Sequence, residues 1–326
     1  MAARLSLADV ERARASVAGH LRPTPLRPSL AVPGQDLLLK LECWQPTGSF
    51  KVRGAVHLLA SLGEDERRRG VVTASAGNHA LGVAFAASHH SVHATLFVPR
   101  TAPRAKRDKL RRFAVEVREV GETYDDAAEA AHAFERETGA TYVHAYEDPR
   151  TAAGQGTVGL EILDDCPEPG TVLVPVGGGG LLAGLAVAVK STVPRARVVA
   201  VQPEASPALR ESLRLGRPLL TYPAGPTMAD GLAGGIGAIA FDHRDLVDEV
   251  VTVSEEEIGD AMVALLAADQ VVAEGSGAVG LAALRAGRAK TAGCGPVVAV
   301  ITGGNVDAAV LARLLAARYD PAGETR

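Results

Sequence analysis

The chain is short of aromatic residues, which make up 4% of the sequence, and it has three cysteines in 326 residues. Cys43, Cys166 and Cys294 are odd in number, far apart and form no CxxC pair, so they do not make a disulfide framework. Reduced thiols of a cytoplasmic protein are the expectation. Charge of one sign is lacking as well: 34 Lys+Arg stand against 38 Asp+Glu, a formal charge of −4. Without a basic stripe and interleaved aromatics, a nucleic-acid partner has nothing to hold. The N-terminus has no apolar run long enough for a signal peptide. One charge-free stretch, TVLVPVGGGGLLAGLAVAV at 171–189, has roughly the length of a membrane span. Pro175 and four consecutive glycines, Gly177 to Gly180, interrupt it, and each glycine in a helix costs roughly 1 kcal/mol relative to alanine. The stretch therefore reads as strand, glycine loop, helix, and a soluble protein with no membrane partner is expected.

What the chain does have is 35 glycines and an apolar content of 47%, too high for disorder, with no G-X-Y period. Strand-like runs alternate with helical ones. Leu37 to Cys43, Val71 to Ala74, Ala94 to Val98, Val115 to Val120 and Thr141 to His144 form a first series, with Asp125 to Thr138 helical. Thr171 to Val176, Val198 to Val201 and Val297 to Ile301 form a second. Such alternation predicts an α/β fold with parallel sheets flanked by helices. Ser254 before Glu255-Glu256-Glu257 reads as a capping box, and Ser206-Pro207 as an N-cap with proline at the first helical position. Tyr146 to Arg150, rich in polar turn residues, is the expected linker between the two series.

Four strand ends carry candidate chemistry. At 172–184 a strand runs into Gly177, Gly178, Gly179 and Gly180 and then a helix; glycines let the backbone wrap an anion, and N–H groups at a helix start point at it. No Gly-Lys-Ser/Thr follows, which argues against a nucleotide-triphosphate loop. Gly178-x-Gly180-x-x-Ala183 fits a loose NAD(P) pattern, but Gln202 stands where a ribose-binding acid is expected. In the second motif, PTGSFKVRGA, Lys51 lies between Phe50 and an apolar helix. It is either a snorkelling surface lysine or, if buried, an amine nucleophile of lowered pKa. The third, Thr73 to His79, places Ser75, Ala76, Gly77, Asn78 and His79 at a small-residue loop suited to a carboxylate. The fourth ends a strand at Thr302, followed by two glycines and Asn305. Weaker candidates are His89, His90 and His93, read as a solvated helix end rather than a metal site, and Arg67 to Arg69, read as a charged helix end. Trp44 is expected to pack or, from its place beside the lysine motif, to line the site, and Cys43 to be a small core residue.

Taken together, PTGSFKVRGA (46–55), TASAGNHALG (73–82), AGQGTVGLEIL (153–163), PVGGGGLLAG (175–184), ADGLAGGIG (229–237), EGSGAVGLAAL (274–284) and ITGGNVD (301–307) resemble one family. They are similar, in order and spacing, to the motifs of the fold-type II pyridoxal-phosphate enzymes, in particular the threonine/serine dehydratase and serine racemase group. The resemblance implies a two-domain fold like that of tryptophan synthase β, with 1–67 and 148–326 as the large cofactor-binding domain and 68–147 as the small one. It implies pyridoxal 5'-phosphate as cofactor, Lys51 as the Schiff-base lysine, and Phe50 against the cofactor ring. Asn78 would bond the ring hydroxyl, Gly177 to Gly180 the phosphate, and Thr302 would face the pyridine nitrogen. Ser75, Ala76, Gly77 and His79 would take the substrate carboxylate.

The activity so implied is dehydration of threonine, serine or a related β-hydroxy amino acid to a 2-oxo acid and ammonia, by a homodimer. A serine racemase or a hydroxyectoine-type dehydratase is the alternative on the same fold. Thr302, a neutral hydroxyl, does not force the pyridine nitrogen to stay protonated, which favours loss of a β leaving group over transamination. Racemisation needs a second proton-transfer group on the opposite face, and Ala76 stands where racemising relatives have serine. No metal is expected, since Gln202 and Ala208 occupy positions where metal-binding relatives carry ligands, although Glu204 is nearby. With about twenty residues after Asn305, no appended regulatory domain is expected.

Overall fold

The computed structural model describes residues 4–102, 104–292 and 294–318. Among these, ten strands form two sheets. The strands are β1 (Leu26–Pro28), β2 (Leu37–Lys40), β3 (Val71–Ala74), β4 (Ala94–Val98), β5 (Glu116–Glu119), β6 (Thr141–Tyr142), β7 (Thr171–Pro175), β8 (Arg197–Pro203), β9 (Glu249–Val253) and β10 (Val297–Val300). The six-stranded sheet has the order β1-β2-β10-β7-β8-β9 and is parallel except for the edge pair β1–β2. The four-stranded sheet, β5-β4-β3-β6, is parallel throughout.

Side-chain alternation explains why the central strands read as unbroken apolar runs. Val172, Val174, Val198, Ala200, Val298 and Val300 enter one core with the helix Gly180–Thr192. Their neighbours Leu173, Val199, Val201, Val297 and Ala299 enter another, with the helices Glu255–Asp269 and Gly275–Arg285. Successive residues point to opposite faces, and both faces are covered. The charge-free stretch resolves into β7, the glycine loop and the helix Gly180–Thr192. No helix of the described residues is long and apolar enough to cross a membrane. Much of the glycine content serves close helix contact: a Cβ on Gly184 would lie 2.2 Å from the carbonyl oxygen of Ala152 in the helix Pro149–Asp165.

The helix Lys51–Ala60 sits at the seam. Its Val52, Ala55, Val56, Leu58 and Leu59 pack with β3, β4 and the helix Asn78–His90 around the four-stranded sheet. Its other side is fixed by Arg53, fully buried, which donates to Glu42 and Glu161 at 2.7 Å, while Lys40 donates to Glu161 at 2.6 Å. Two cations and two carboxylates balance, and removing one would leave an uncompensated charge in the cluster.

Several expectations shift. The strand from Leu37 stops at Lys40, and Glu42–Trp44 is a 3-10 turn that drives Glu42 into the ion cluster. Strand β1, three residues beside two prolines, was not expected, nor was the half-buried edge strand β9. Ser254 does cap its helix with Glu257 in a capping box. Ser206 does not cap: Pro207 is the N-cap of Ala208–Leu215, and the Ser206 hydroxyl bonds Gly234 instead. Trp44 is half exposed under Arg27 rather than packed. Cys43 is a core residue, and burial pushes its thiol up to about 12.

Candidate active site

The lysine motif is stitched to the end of β10. The N–H of Phe50 donates to the carbonyl of Thr302 at 3.0 Å, and Ser49 bridges Gly303. Lys51 then opens its helix with its Nζ turned inward, donating to the carbonyl of Ala145 at 3.1 Å and lying 5.2 Å from the Phe50 ring centroid. Burial pushes its ammonium down to about 8, with the Glu274 carboxylate opposing. Lys51 is half-buried, and it does not snorkel outward, because its amine turns back to the Ala145 carbonyl.

The groups around this amine are mostly neutral. Burial, aided by Lys51, holds His79 down to about 3 and His144 down to about 4. His79 is buried, and its Nε2 lies 2.8 Å from the carbonyl of Val143, which only accepts, so the proton is on Nε2. Its buried Nδ1 has no partner among the described residues. His144 Nδ1 accepts the N–H groups of Tyr146 and Glu147 at 3.3 and 2.9 Å. Among the described residues the anion acting on Lys51 is Glu274, which accepts from Asn78 Nδ2 at 2.7 Å. Asn305 donates to Asn78 Oδ1 at 2.8 Å and to the Thr47 carbonyl at 2.8 Å, closing a ring of contacts over the lysine motif. Thr302 is buried, its hydroxyl donating to the carbonyl of Ser276 at 3.3 Å.

Gly177 to Gly180 lie beside this centre through Tyr146, the residue after the lysine's acceptor. A Cβ on Gly178 would come 2.3 Å from the Tyr146 ring, and one on Gly180 3.1 Å from its Cα. A Cβ on Gly177 would meet Leu232 at 2.9 Å, and one on Gly179, which has φ +86°, would meet Ala240 at 2.3 Å. Among the described residues, the N–H groups of Gly177, Gly178 and Gly179 have no protein acceptor. Free amides at the start of a helix fit an anionic group such as a phosphate.

The small-residue loop is looser. Ser75, Ala76 and Gly77 are half-buried; the Ser75 hydroxyl accepts from Gly77 N–H at 3.2 Å, and Ala76 packs on the core of the four-stranded sheet. Among the described residues no group of three His, Cys, Asp or Glu is placed to hold a metal; His89 stacks on Phe85, and His90 lies tilted against His20. Glu274, His144 and Tyr146 escaped sequence reasoning as site residues. An acid just ahead of the small-residue helix start Gly275-Ser-Gly was the available signal for Glu274.

Parallel sheets whose strand ends converge on an inward lysine and a run of glycine amides without protein acceptors define a cofactor-dependent α/β enzyme. A family model described as pyridoxal-phosphate dependent enzyme matches residues 17–303, and the chain belongs to that family. Its cofactor is pyridoxal phosphate, and the fold is the fold-type II architecture the motifs implied. The chain is 45% identical over 316 residues to an L-threonine ammonia-lyase of Thermotoga maritima, covering 95% of this chain and 78% of that one. It is 40% identical to a catabolic L-threonine dehydratase of Staphylococcus aureus, over 93% and 90% of the two chains. Among solved structures, maize serine racemase superposes with a TM-score of 0.90 at 33% identity, over 95% and 97%. The processed form of threonine deaminase isoform 2 from Solanum lycopersicum gives 0.88 at 31%, over 94% and 91%.

Proposed function

We propose that this enzyme is an L-threonine ammonia-lyase that also accepts L-serine, removing water across Cα–Cβ so that hydrolysis of the released enamine yields a 2-oxo acid and ammonia. The observation that carries the reading is Lys51: an inward amine lowered to about 8, ringed by neutral imidazoles and one carboxylate. The names of the 45% and 40% identical relatives support the substrate.

The cofactor, when bound, supplies the electron-withdrawing ring that makes the substrate Cα proton removable. Lys51 would carry the cofactor and, with its amine free, would take that proton; an amine lowered to about 8 is partly unprotonated near neutral pH. Phe50 would lie against the ring, Asn78 would bond its hydroxyl, and Thr302 would offer its nitrogen a hydroxyl rather than a carboxylate. Gly177, Gly178, Gly179 and Gly180 would hold the phosphate. The substrate carboxylate sits at Ser75, Ala76, Gly77 and His79, ahead of the helix Asn78–His90, where orphan N–H groups favour an anion. The work divides between a large domain of 1–67 and 148–326 and a small one of 68–147, with the Lys51 helix at the seam.

We read the protein as a cytoplasmic homodimer. Free Cys43, Cys166 and Cys294 support a reducing compartment. Exposed apolar side chains such as Leu30, Trp44 and Val272, at 78%, 49% and 42%, support self-association. A coupled assay of 2-oxo acid release over a panel of β-hydroxy amino acids tests the activity. Threonine is expected to give the highest kcat/KM and serine the next; no release from either would overturn the reading.

A further inference from the structure

Gln202 takes no part in the chemistry above, yet it is fully buried beside the glycine loop with every hydrogen-bonding position of its amide in use. Its Nε2 donates to the carbonyls of Val176 and Ser206 at 3.3 and 3.4 Å, and its Oε1 accepts from the N–H groups of Leu209 and Arg210 at 3.0 and 3.2 Å. An amide offers two donors and two acceptor sites, and all four are used here. We propose that Gln202 is the positioning residue of the phosphate cradle, aiming the Gly177 N–H at the cofactor phosphate.

Peptide planarity makes the connection. Val176 is held on both sides: its N–H donates to the carbonyl of Val201 at 2.9 Å, and its carbonyl accepts from Gln202. The Val176 carbonyl and the Gly177 N–H belong to one rigid trans unit and point in opposite directions. Fixing the carbonyl toward Gln202 therefore fixes the Gly177 N–H away from it, on the side left without a protein acceptor. The second arm runs through Ser206, whose hydroxyl accepts from Gly234 N–H at 3.0 Å and donates to its carbonyl at 3.2 Å. Three residues on, Gly237 N–H donates to the carbonyl of Gly178 at 3.0 Å, so the same amide steadies the loop at two points.

Gln202→Glu isolates this role. A carboxylate still accepts from Leu209 and Arg210 at the helix start, where negative charge is favourable, so the helix keeps its cap. What is lost is both donors, leaving the carbonyls of Val176 and Ser206 facing an acceptor. Gln202→Met, which removes donors and acceptors together, is the second variant.

The inference rests on the phosphate placement proposed above, so the test compares pyridoxal 5'-phosphate with pyridoxal, which lacks the phosphate. Binding of each to apoenzyme is followed by absorbance at pH 8, with thermal unfolding of the apoenzyme alongside. Wild type is expected to prefer the phosphorylated form strongly. Gln202→Glu should weaken pyridoxal phosphate by about tenfold or more while leaving pyridoxal unchanged. Gln202→Met should lose the same preference and also melt earlier. Wild type that binds the two forms equally would overturn the phosphate placement itself. Wild type that discriminates, with a Gln202→Glu variant that discriminates equally or weakens both forms alike, would overturn the role of Gln202 alone.

Discussion

Two loops close on Lys51, and they are built to opposite tolerances. Every glycine of Gly177 to Gly180 is walled in, so that a Cβ on any of them would come within 3.1 Å of Tyr146, Leu232 or Ala240. Gly77, in the loop after β3, has nothing within 4 Å of where its Cβ would stand. The first loop is braced by a buried amide and by a backbone bond from Gly237. The second is held by the Ser75 hydroxyl and by Ala76 against the core. With the cofactor phosphate on the first loop and the substrate carboxylate on the second, as proposed, the contrast has a reason: a retained cofactor benefits from a rigid cradle, whereas the side that admits and releases substrate needs room.

The largest effect is expected at Gly179. Its φ of +86° and the 2.3 Å approach to Ala240 make Gly179→Ala strained in backbone and packing together. The left-handed conformation alone costs roughly 1–2 kcal/mol in a residue with a Cβ. Loss of stability by thermal melting and of cofactor retention on gel filtration should appear together. Retention of cofactor at wild-type stability would mean that the cradle is not rigid.

Glu274→Gln sharpens the electrostatic half of the comparison. Glu274 holds the Lys51 ammonium up against burial, so removing its charge lets the lysine fall below about 8. More of the amine is then unprotonated at pH 7, and the pH profile for cofactor capture by the apoenzyme should move toward acid. A shift toward alkali would contradict the assigned sign.

Ala76→Ser probes the looser loop. A serine there supplies a proton-transfer group that the methyl lacks, and D-serine should form from L-serine during turnover where the parent enzyme makes almost none. If the hydroxyl instead turns into the apolar core against which Ala76 packs, the variant will melt earlier with no D-serine. Smallest is Gly77→Ala: with φ −109° and open space, stability should change by no more than about 0.5 kcal/mol. A rise in KM at unchanged kcat would place the methyl in the carboxylate's path.

Much of this arrangement was legible in the sequence because it rests on short-range rules. Glycine runs after apolar strands mark loops that accept close approach, and alternation of strands with helices marks a parallel sheet, as β7, β8 and β10 show. What escaped depends on partners far along the chain. Lys51 and its acceptor Ala145 lie 94 residues apart, and Asn78 meets Glu274 across 196. No local pattern announces such pairs. Gln202 drew attention only as a missing acid, since its four partners become visible once the helix Ala208–Leu215 is folded over it. Trp44 misled for the same reason: hydrophobicity suggests packing, but whether a partner surface exists is a property of the fold.

The central claim is that Lys51 carries the cofactor at the seam between the tight loop and the loose one. Borohydride reduction of the holoenzyme, followed by peptide mapping with mass spectrometry, tests it most directly. The account predicts one pyridoxyl adduct, on the peptide containing Phe50-Lys51-Val52. An adduct on Lys40, which is committed to Glu161 in the buried ion cluster, or on Lys190, which pairs with Asp248, would contradict it.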